Sequence, residues 1–257
     1  LSGEVKDSLP PQIVTENSLM PLSTAIKNIH SPENETDLEE ARRRLGFEEL
    51  FIWQLRAQLI KRQLRGRMAT KIPFNEEATK EFVASLPFVL TSDQKKSAWE
   101  ILQDLEKPQP MSRLLQGDVG SGKTVVAAIS LYANYLAGYQ GAMMAPTEIL
   151  ALQHYQSLKK MFKKYKINIA LLTGHLSQKE KNEIYQQLEN GQIDIIIGTH
   201  ALFQEKVQYN QLGLVITDEQ HRFGVEQRKA LKDKGNKVDF LVMTATPIPR
   251  TLAISLY

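Results

Sequence analysis

One octapeptide limits what this chain can fold into: Gly117-Asp118-Val119-Gly120-Ser121-Gly122-Lys123-Thr124, a full match to G-x-x-x-x-G-K-[ST]. Its flanks decide the context. Arg113-Leu114-Leu115-Gln116 is a short apolar run bounded by turn formers, as a buried strand is. Val125-Val126-Ala127-Ala128-Ile129-Ser130-Leu131 is apolar on every face, as a buried helix is. Strand, glycine loop and helix in that order make a phosphate cradle. Three glycines within six residues let the backbone take positive φ and turn successive N–H groups toward one point, where they and the helix N-terminus hold polyphosphate oxygens. Lys123 then reaches the β- and γ-phosphates, and the Thr124 hydroxyl ligates Mg²⁺. A chance match in a chain of this size is on the order of 1%.

Such a cradle needs a metal-holding carboxylate on a neighbouring strand. Leu214-Val215-Ile216-Thr217-Asp218-Glu219-Gln220-His221 supplies one, since four apolar or β-branched residues run into two acids. Asp218 at the carboxyl end of that strand is placed to bind Mg²⁺ through water. Glu219 beside it is placed to orient or deprotonate the attacking water.

At 257 residues and 42% hydrophobic the chain is long enough for one α/β domain plus an extra helical segment. With no cysteine, disulfides and thiolate chemistry are excluded. No run of about 18 apolar residues occurs, and Leu1-Ser2-Gly3-Glu4-Val5-Lys6-Asp7 has neither an initiator Met nor a signal-peptide core. The expectation is a soluble, cytoplasmic protein with no membrane partner. Pro249 to Tyr257 stops inside a helical pattern without a cap, so a longer parent chain is expected on both sides.

Net charge is +3, and its distribution says more than its sum. Residues 31–49 hold seven acids against three arginines, whereas residues 50–72 hold Arg56, Lys61, Arg62, Arg65, Arg67 and Lys71 with no acid. A basic helix end suits either DNA phosphates or the helix dipole, and the second reading is the stronger. Arg42, Arg43 and Arg44 either touch DNA or pair with Glu39, Glu40, Glu48 and Glu49.

The pattern changes near residue 87. Before it, Pro21 to His30 is helical. A longer helix follows, with Thr36-Asp37-Leu38-Glu39 as a capping box and Leu38, Ala41, Leu45, Leu55 and Leu59 on an apolar side running to about Arg65. Residues 1–86 therefore read as a helical linker segment. After residue 87, strand-like segments at 114–116, 141–145, 168–173, 194–198, 212–217 and 239–244 alternate with helical ones such as 148–163 and 179–189. That alternation predicts an α/β fold, a mostly parallel sheet flanked by helices with ligands at the strands' carboxyl ends. The five histidines show no metal-ligand spacing, and His30, His154 and His175 read as structural or solvated.

Taken in order, Gln94, the glycine loop, Ala145-Pro146-Thr147-Glu148, Thr173-Gly174, Gly198-Thr199-His200, the acidic box and Thr244-Ala245-Thr246 resemble the motifs of a superfamily-two helicase motor over residues 87–257. Longer stretches are closer still to the RecG family of bacterial DNA translocases. These are residues 114–124, Met144 to Ala151, Asp218-Glu219-Gln220-His221-Arg222-Phe223-Gly224-Val225 and Met243 to Leu252, with residues 38–45 resembling that family's segment between wedge domain and motor.

The resemblance implies an ATP-dependent DNA helicase that remodels stalled forks and Holliday junctions, with a RecA-like first lobe at residues 87–257. It further implies that Gln94 reads adenine, that Gly117 to Thr124 hold the phosphates and that Thr124 and Asp218 hold the metal. Glu219 would act on the water, and Gln220, His221, Thr244 and Thr246 would couple the γ-phosphate to DNA. Pro146, Thr147, Thr173, Gly174, Thr199 and His200 would meet DNA phosphates. The family's second motor lobe, with its arginine finger, and its wedge domain have no counterpart in these residues, so the chain alone is expected to turn over very slowly. Its implied partners are branched DNA and those further domains of one parent chain, acting as a monomer. Two rivals remain. One is a transcription-repair coupling factor motor acting on RNA polymerase, against which Ser121 and the Asp218 to His221 wording count. The other is a nonhydrolysing scaffold.

Overall fold

The computed structural model describes residues 6–65, 71–204, 206–218 and 238–245. By internal contacts the chain divides into two compact units, the first reaching Arg62 and the second beginning at Gln63.

The first unit is helical: α1 (Pro11–Glu16), α2 (Leu22–His30) and α3 (Glu35–Arg65). Helix α3 ends at Arg65, as its pattern predicts, but begins differently. Asn34 Oδ1 accepts from Asp37 N at 2.8 Å, so Asn34 closes the first turn and the capping box expected at Thr36 lies one residue inside the helix. Its apolar side is also shorter than expected. Ala41 is buried, whereas Leu55 and Leu59 are exposed, together with Leu50 and Trp53. Arg44 is the internal fastener. Fully buried, it donates to Asp7 at 2.5 Å and Glu48 at 2.7 Å, and Asp7 in turn accepts from the amides of Leu9 and Leu22. A guanidinium so enclosed must be paired, and its two carboxylates tie the residues before α1 and α2 to the middle of α3. Arg43 donates to the Asn17 carbonyl. Two of the three consecutive arginines are thus spent inside the unit.

The second unit holds the sheet. Its strands are β1 (Ser112–Gln116), β2 (Gln140–Met144), β3 (Ile169–Leu172), β4 (Ile195–Gly198), β5 (Leu212–Asp218) and β6 (Asp239–Thr244), in the order β1-β6-β5-β2-β4-β3 with every pairing parallel. The inner strands β6, β5, β2 and β4 are buried on both faces and mostly apolar, the edge strands β1 and β3 are half-buried, and the pleat sorts their residues by parity. Ile195, Ile197, Leu214, Ile216, Leu241 and Met243 face one apolar cluster with α4 (Glu76–Ala84), α5 (Ser92–Leu105), α6 (Lys123–Leu136) and α7 (Glu148–Met161). Their alternates Ala142, Met144, Leu172, Ile196 and Val215 face a second cluster, which takes Leu188 of α8 (Gln178–Glu189) and Leu202 of the 3₁₀ turn His200–Phe203.

Helix α6 is buried from Val125 through Asn134, in keeping with its unbroken apolar sequence. Residues 72–86, which the pattern change near residue 87 groups with the N-terminal helices, pack in this unit. Phe82 of α4 is fully buried and stacks on Tyr132 and Phe162 at ring separations of 4.7 and 5.1 Å, and Ile72 N donates to Leu105 O.

Asp239 opens β6 at the end of the sheet remote from the glycine loop. Oδ1 accepts from Met111 N at 2.6 Å. Burial pushes its carboxyl up to about 8, with the Asp104 charge adding to the rise and the Met111 amide opposing it. The native state then keeps a proton that the unfolded chain gives up near 3.8, so stability is highest below that value and falls as pH rises toward 8. Asp239→Asn keeps an acceptor for Met111 N and removes the ionisation. Its thermal midpoint should match the wild type near pH 4 and exceed it increasingly up to pH 8 to 9, and a difference independent of pH would contradict this account.

Candidate functional site

Parallel strands deliver their following loops to one edge, and along that edge the sequence motifs fall in sheet order. The glycine loop follows β1, Thr244 ends β6, Asp218 ends β5, Pro146-Thr147 follows β2, Thr199-His200 follows β4 and Thr173-Gly174 follows β3. Register fixes the neighbours: Gln116 lies opposite Thr244, Asp218 opposite Met243, and Met144 opposite Thr217. Gly117 N donates to Thr244 O at 3.2 Å, joining the start of the loop to the end of β6.

The loop has the form that its glycines predict. Gly120 and Gly122 take φ of +82° and +84°, values that disfavour any side chain. Lys123 begins α6 and folds its ammonium back onto the Gly117 and Asp118 carbonyls at 2.6 and 2.9 Å. Those bonds hold the ammonium against the loop. Thr124 is the second residue of α6, and Asp118, Val119 and Ser121 complete the turn, with Ser121 N donating to Asp118 O.

Gln94 approaches from α5, a helix that the sequence reading passed over. Thr91 caps α5, and Gln94 closes a reciprocal capping box: its backbone N–H donates to Thr91 Oγ1 and its Oε1 accepts from Thr91 N at 2.9 Å. Its Nε2 donates to Ser121 O at 2.8 Å, so the amide is locked against the glycine loop, over Gly122. One donor and one acceptor of the amide remain. Helix α5 is itself pinned to β1, because Arg113 pairs with Glu100 at 3.0 Å and with Asp104. Burial alone would raise the Asp104 carboxyl, but hydrogen bonds from Arg113 and Lys107 outweigh it and hold the group below its usual range.

Asp218 is largely shielded and not alone. Its Oδ2 lies 2.7 Å from His154 Nε2, with side-chain exposures of 16% and 11%. His154 belongs to the inward stripe Ala151, His154, Leu158 of α7, so of its two expected roles, structural or solvated, the structural one holds. Helical spacing from Ala151 was the available signal, since a polar ring on a core-facing stripe needs a buried partner. A carboxylate at the end of β5, on the same edge as a glycine loop and its lysine, is a donor set that suits a hard divalent cation shared with a polyphosphate. Glu219, Gln220, His221 and Thr246 lie outside the described residues.

The remaining motifs gather at the β2, β4 and β3 ends. Thr147 caps α7 by accepting from Leu150 N, which leaves its hydroxyl proton to give. Glu148, the first residue of α7, accepts from Gly174 N at 2.5 Å and pairs with His175 at 2.9 Å. The Gly174 N–H is therefore spent within the fold, and Thr173 is buried. Lys181 donates to Gly174 O at 2.8 Å. Between this loop and the 3₁₀ turn lies an open groove of about 450 Å³ bordered by Gln178, Lys181, Gln204 and Lys206. These two lysines escaped the sequence reading, because they are spread over α8 and a loop rather than clustered.

The DEAD/DEAH box helicase family model matches residues 91–254, well over half the chain. The chain belongs to the DEAD/DEAH box helicase family. It is similar at 50% identity to the ATP-dependent DNA helicase RecG of Thermotoga maritima, across all of this chain and 33% of that protein. It is also 50% identical to RecG of Bacillus subtilis, across all of this chain and 38% of the relative. A solved structure of RecG bound to a three-way DNA junction superposes with a TM-score of 0.87 at 47% identity, covering all of this chain and 35% of that one. The chain thus spans about a third of the length of these helicases. The fold and sheet-edge arrangement agree with the helicase lobe that the sequence predicts.

The loop geometry yields a direct test. A methyl at Gly122 would meet the Gln94 amide and sit at φ +84°, so Gly122→Ala should cost about 1–2 kcal/mol of stability. It should lower nucleotide affinity far more than it lowers the melting temperature. Fluorescent-nucleotide titration beside a thermal melt checks both.

Proposed function

We propose that this chain is the ATP-binding first motor lobe of an ATP-dependent DNA helicase of RecG type, one that remodels stalled replication forks and Holliday junctions. Residues 87–257, with residues 72–86 packed on them, form the lobe, and the helices before them belong to the segment that links it to an upstream DNA-binding wedge domain. The observation that carries this reading is the single sheet edge on which nucleotide motifs occupy the β1, β6 and β5 ends and the remaining motifs occupy the β2, β4 and β3 ends. Half-identity to RecG over the whole chain supports the choice of substrate class, and the comparisons favour neither rival reading.

In this reading Gly117 to Thr124 hold the ATP phosphates, Thr124 and Asp218 hold Mg²⁺, and Lys123 leaves its loop carbonyls for the β- and γ-phosphates. When bound, the metal neutralises charge on the transferring phosphoryl group. Gln94 presents its spare donor and acceptor to adenine, and Glu219 orients the attacking water. Gln220, His221, Thr244 and Thr246 relay the state of the γ-phosphate toward the DNA side. Pro146, Thr147, Thr173, Gly174, Thr199 and His200 shape the DNA surface, with Thr147 donating its hydroxyl to a phosphate. A second motor lobe supplies the arginine finger, worth about 10³ to 10⁵ in turnover, so the chain alone hydrolyses ATP very slowly. The parent acts in the cytoplasm as a monomer. Among the described residues no helix is long and apolar enough to cross a membrane.

The experiment is ATP hydrolysis by the full-length protein with forked DNA, linear duplex, single-stranded DNA and RNA at one fixed salt concentration. Strong preference for the fork is expected, and equal stimulation by linear duplex or RNA would overturn the junction reading. The groove lysines make a second test. Lys181→Ala and Lys206→Ala should each weaken fork binding without changing its sequence dependence, and each should reduce the slope of log K against log salt by about 1. An unchanged slope would remove the groove from the DNA path.

A further inference from the structure

The contact between His154 and Asp218 is not accounted for by the nucleotide cradle. Across the 2.7 Å that separates His154 Nε2 from Asp218 Oδ2, the ring N–H is assigned as donor and the carboxylate oxygen as acceptor. Three features make this more than a satisfied core histidine. The pair is shielded, so neither group can exchange its partner for water at little cost. His154 stands between Ala151 and Leu158, both fully buried, which fixes the ring's position relative to the sheet. And Asp218 is the last residue of β5, on the same sheet edge as the glycine loop.

We propose that His154 is a positioning residue for the metal-holding carboxylate, fixing Asp218 so that one oxygen always faces the bound nucleotide's cation. The inference rests on the reading of Asp218 as that carboxylate. Hydrogen-bonded partners behind a ligand orient it, and losing them costs metal affinity. Helix α7 gives the arrangement a further consequence. Glu148 at its first turn holds the Gly174 amide and His175, and six residues along, about 9 Å up the axis, His154 holds Asp218. One rigid helix therefore fixes both the loop after β3 and the carboxylate after β5.

The test uses the protein saturated with ADP, with Mn²⁺ as the probe and paramagnetic resonance of free Mn²⁺ as the readout. His154→Phe keeps a ring of similar volume without a donor, His154→Gln keeps an N–H donor, and Asp218→Asn removes the carboxylate. His154→Phe is expected to weaken Mn²⁺ binding about tenfold while metal-free ADP binding and the melting transition stay near wild type. His154→Gln is expected to recover affinity to within about threefold. Wild-type Mn²⁺ affinity in His154→Phe, alongside a loss in Asp218→Asn, would overturn the positioning role and leave the metal reading standing. Equal weakening in the Phe and Gln variants would also overturn it, because the donor would then be irrelevant. Unchanged affinity in Asp218→Asn would remove Asp218 from the metal site, and the inference with it.

Discussion

All six described strands run the same way, and the placing of every candidate site residue described depends on that. A parallel sheet buries both faces beneath helices, so no side chain on either face can reach a ligand, and chemistry is confined to the loops at one edge. The order β1-β6-β5-β2-β4-β3 then decides which loops are neighbours. Residues 117–124 and 218 are far apart in sequence, yet only one strand, β6, separates theirs. The same order places residues 146–147, 199–200 and 173–174 side by side on the other half of the edge. The sheet thus divides its edge into a nucleotide half and a second half, with β5 and β2 adjacent at the border.

A second layer of contacts keeps those loops in place. Gln94 is held by its own helix cap and in turn holds the Ser121 carbonyl, Arg113 pins the helix that carries Gln94, and Glu148 holds the Gly174 amide. Each is a charged or amide side chain bonded to the backbone of a loop or to a partner beneath it, which is how a short glycine-rich turn is kept in one conformation before its ligand arrives. His154 belongs to the same layer. Loops built this way lose little further entropy on binding, so more of the contact energy remains for affinity.

Much of this was legible in the residues. Strand positions followed from short Ile/Leu/Val runs bounded by turn formers, and the phosphate loop from glycine spacing, because both signals are local. What escaped was non-local or masked by a competing local signal. Helix α5 carries Ser92, Asp93, Lys95 and Lys96 in its first turns, and that polar start hid its apolar stripe Ala98, Ile101, Leu102 and Leu105. Thr36 fits a capping box as well as any sequence does, yet Asn34 wins because it stands just before the helix, with its side-chain oxygen within reach of the Asp37 amide. Residues 72–86 looked like a continuation of the helical segment, and only the burial of Phe82 against Tyr132 and Phe162 assigns them to the sheet unit. The pairing of His154 with Asp218 spans 64 residues and has no sequence signature beyond the helical stripe on which the histidine sits.

The division of the edge is best tested by backbone amide exchange on the 257-residue chain, with and without millimolar Mg·ATPγS. The account predicts slowed exchange at residues 117–124 and at the ends of β5 and β6, with residues 173–175 and 199–203 unchanged in the absence of DNA. Protection centred on the β3 and β4 ends, with none in the glycine loop, would contradict it.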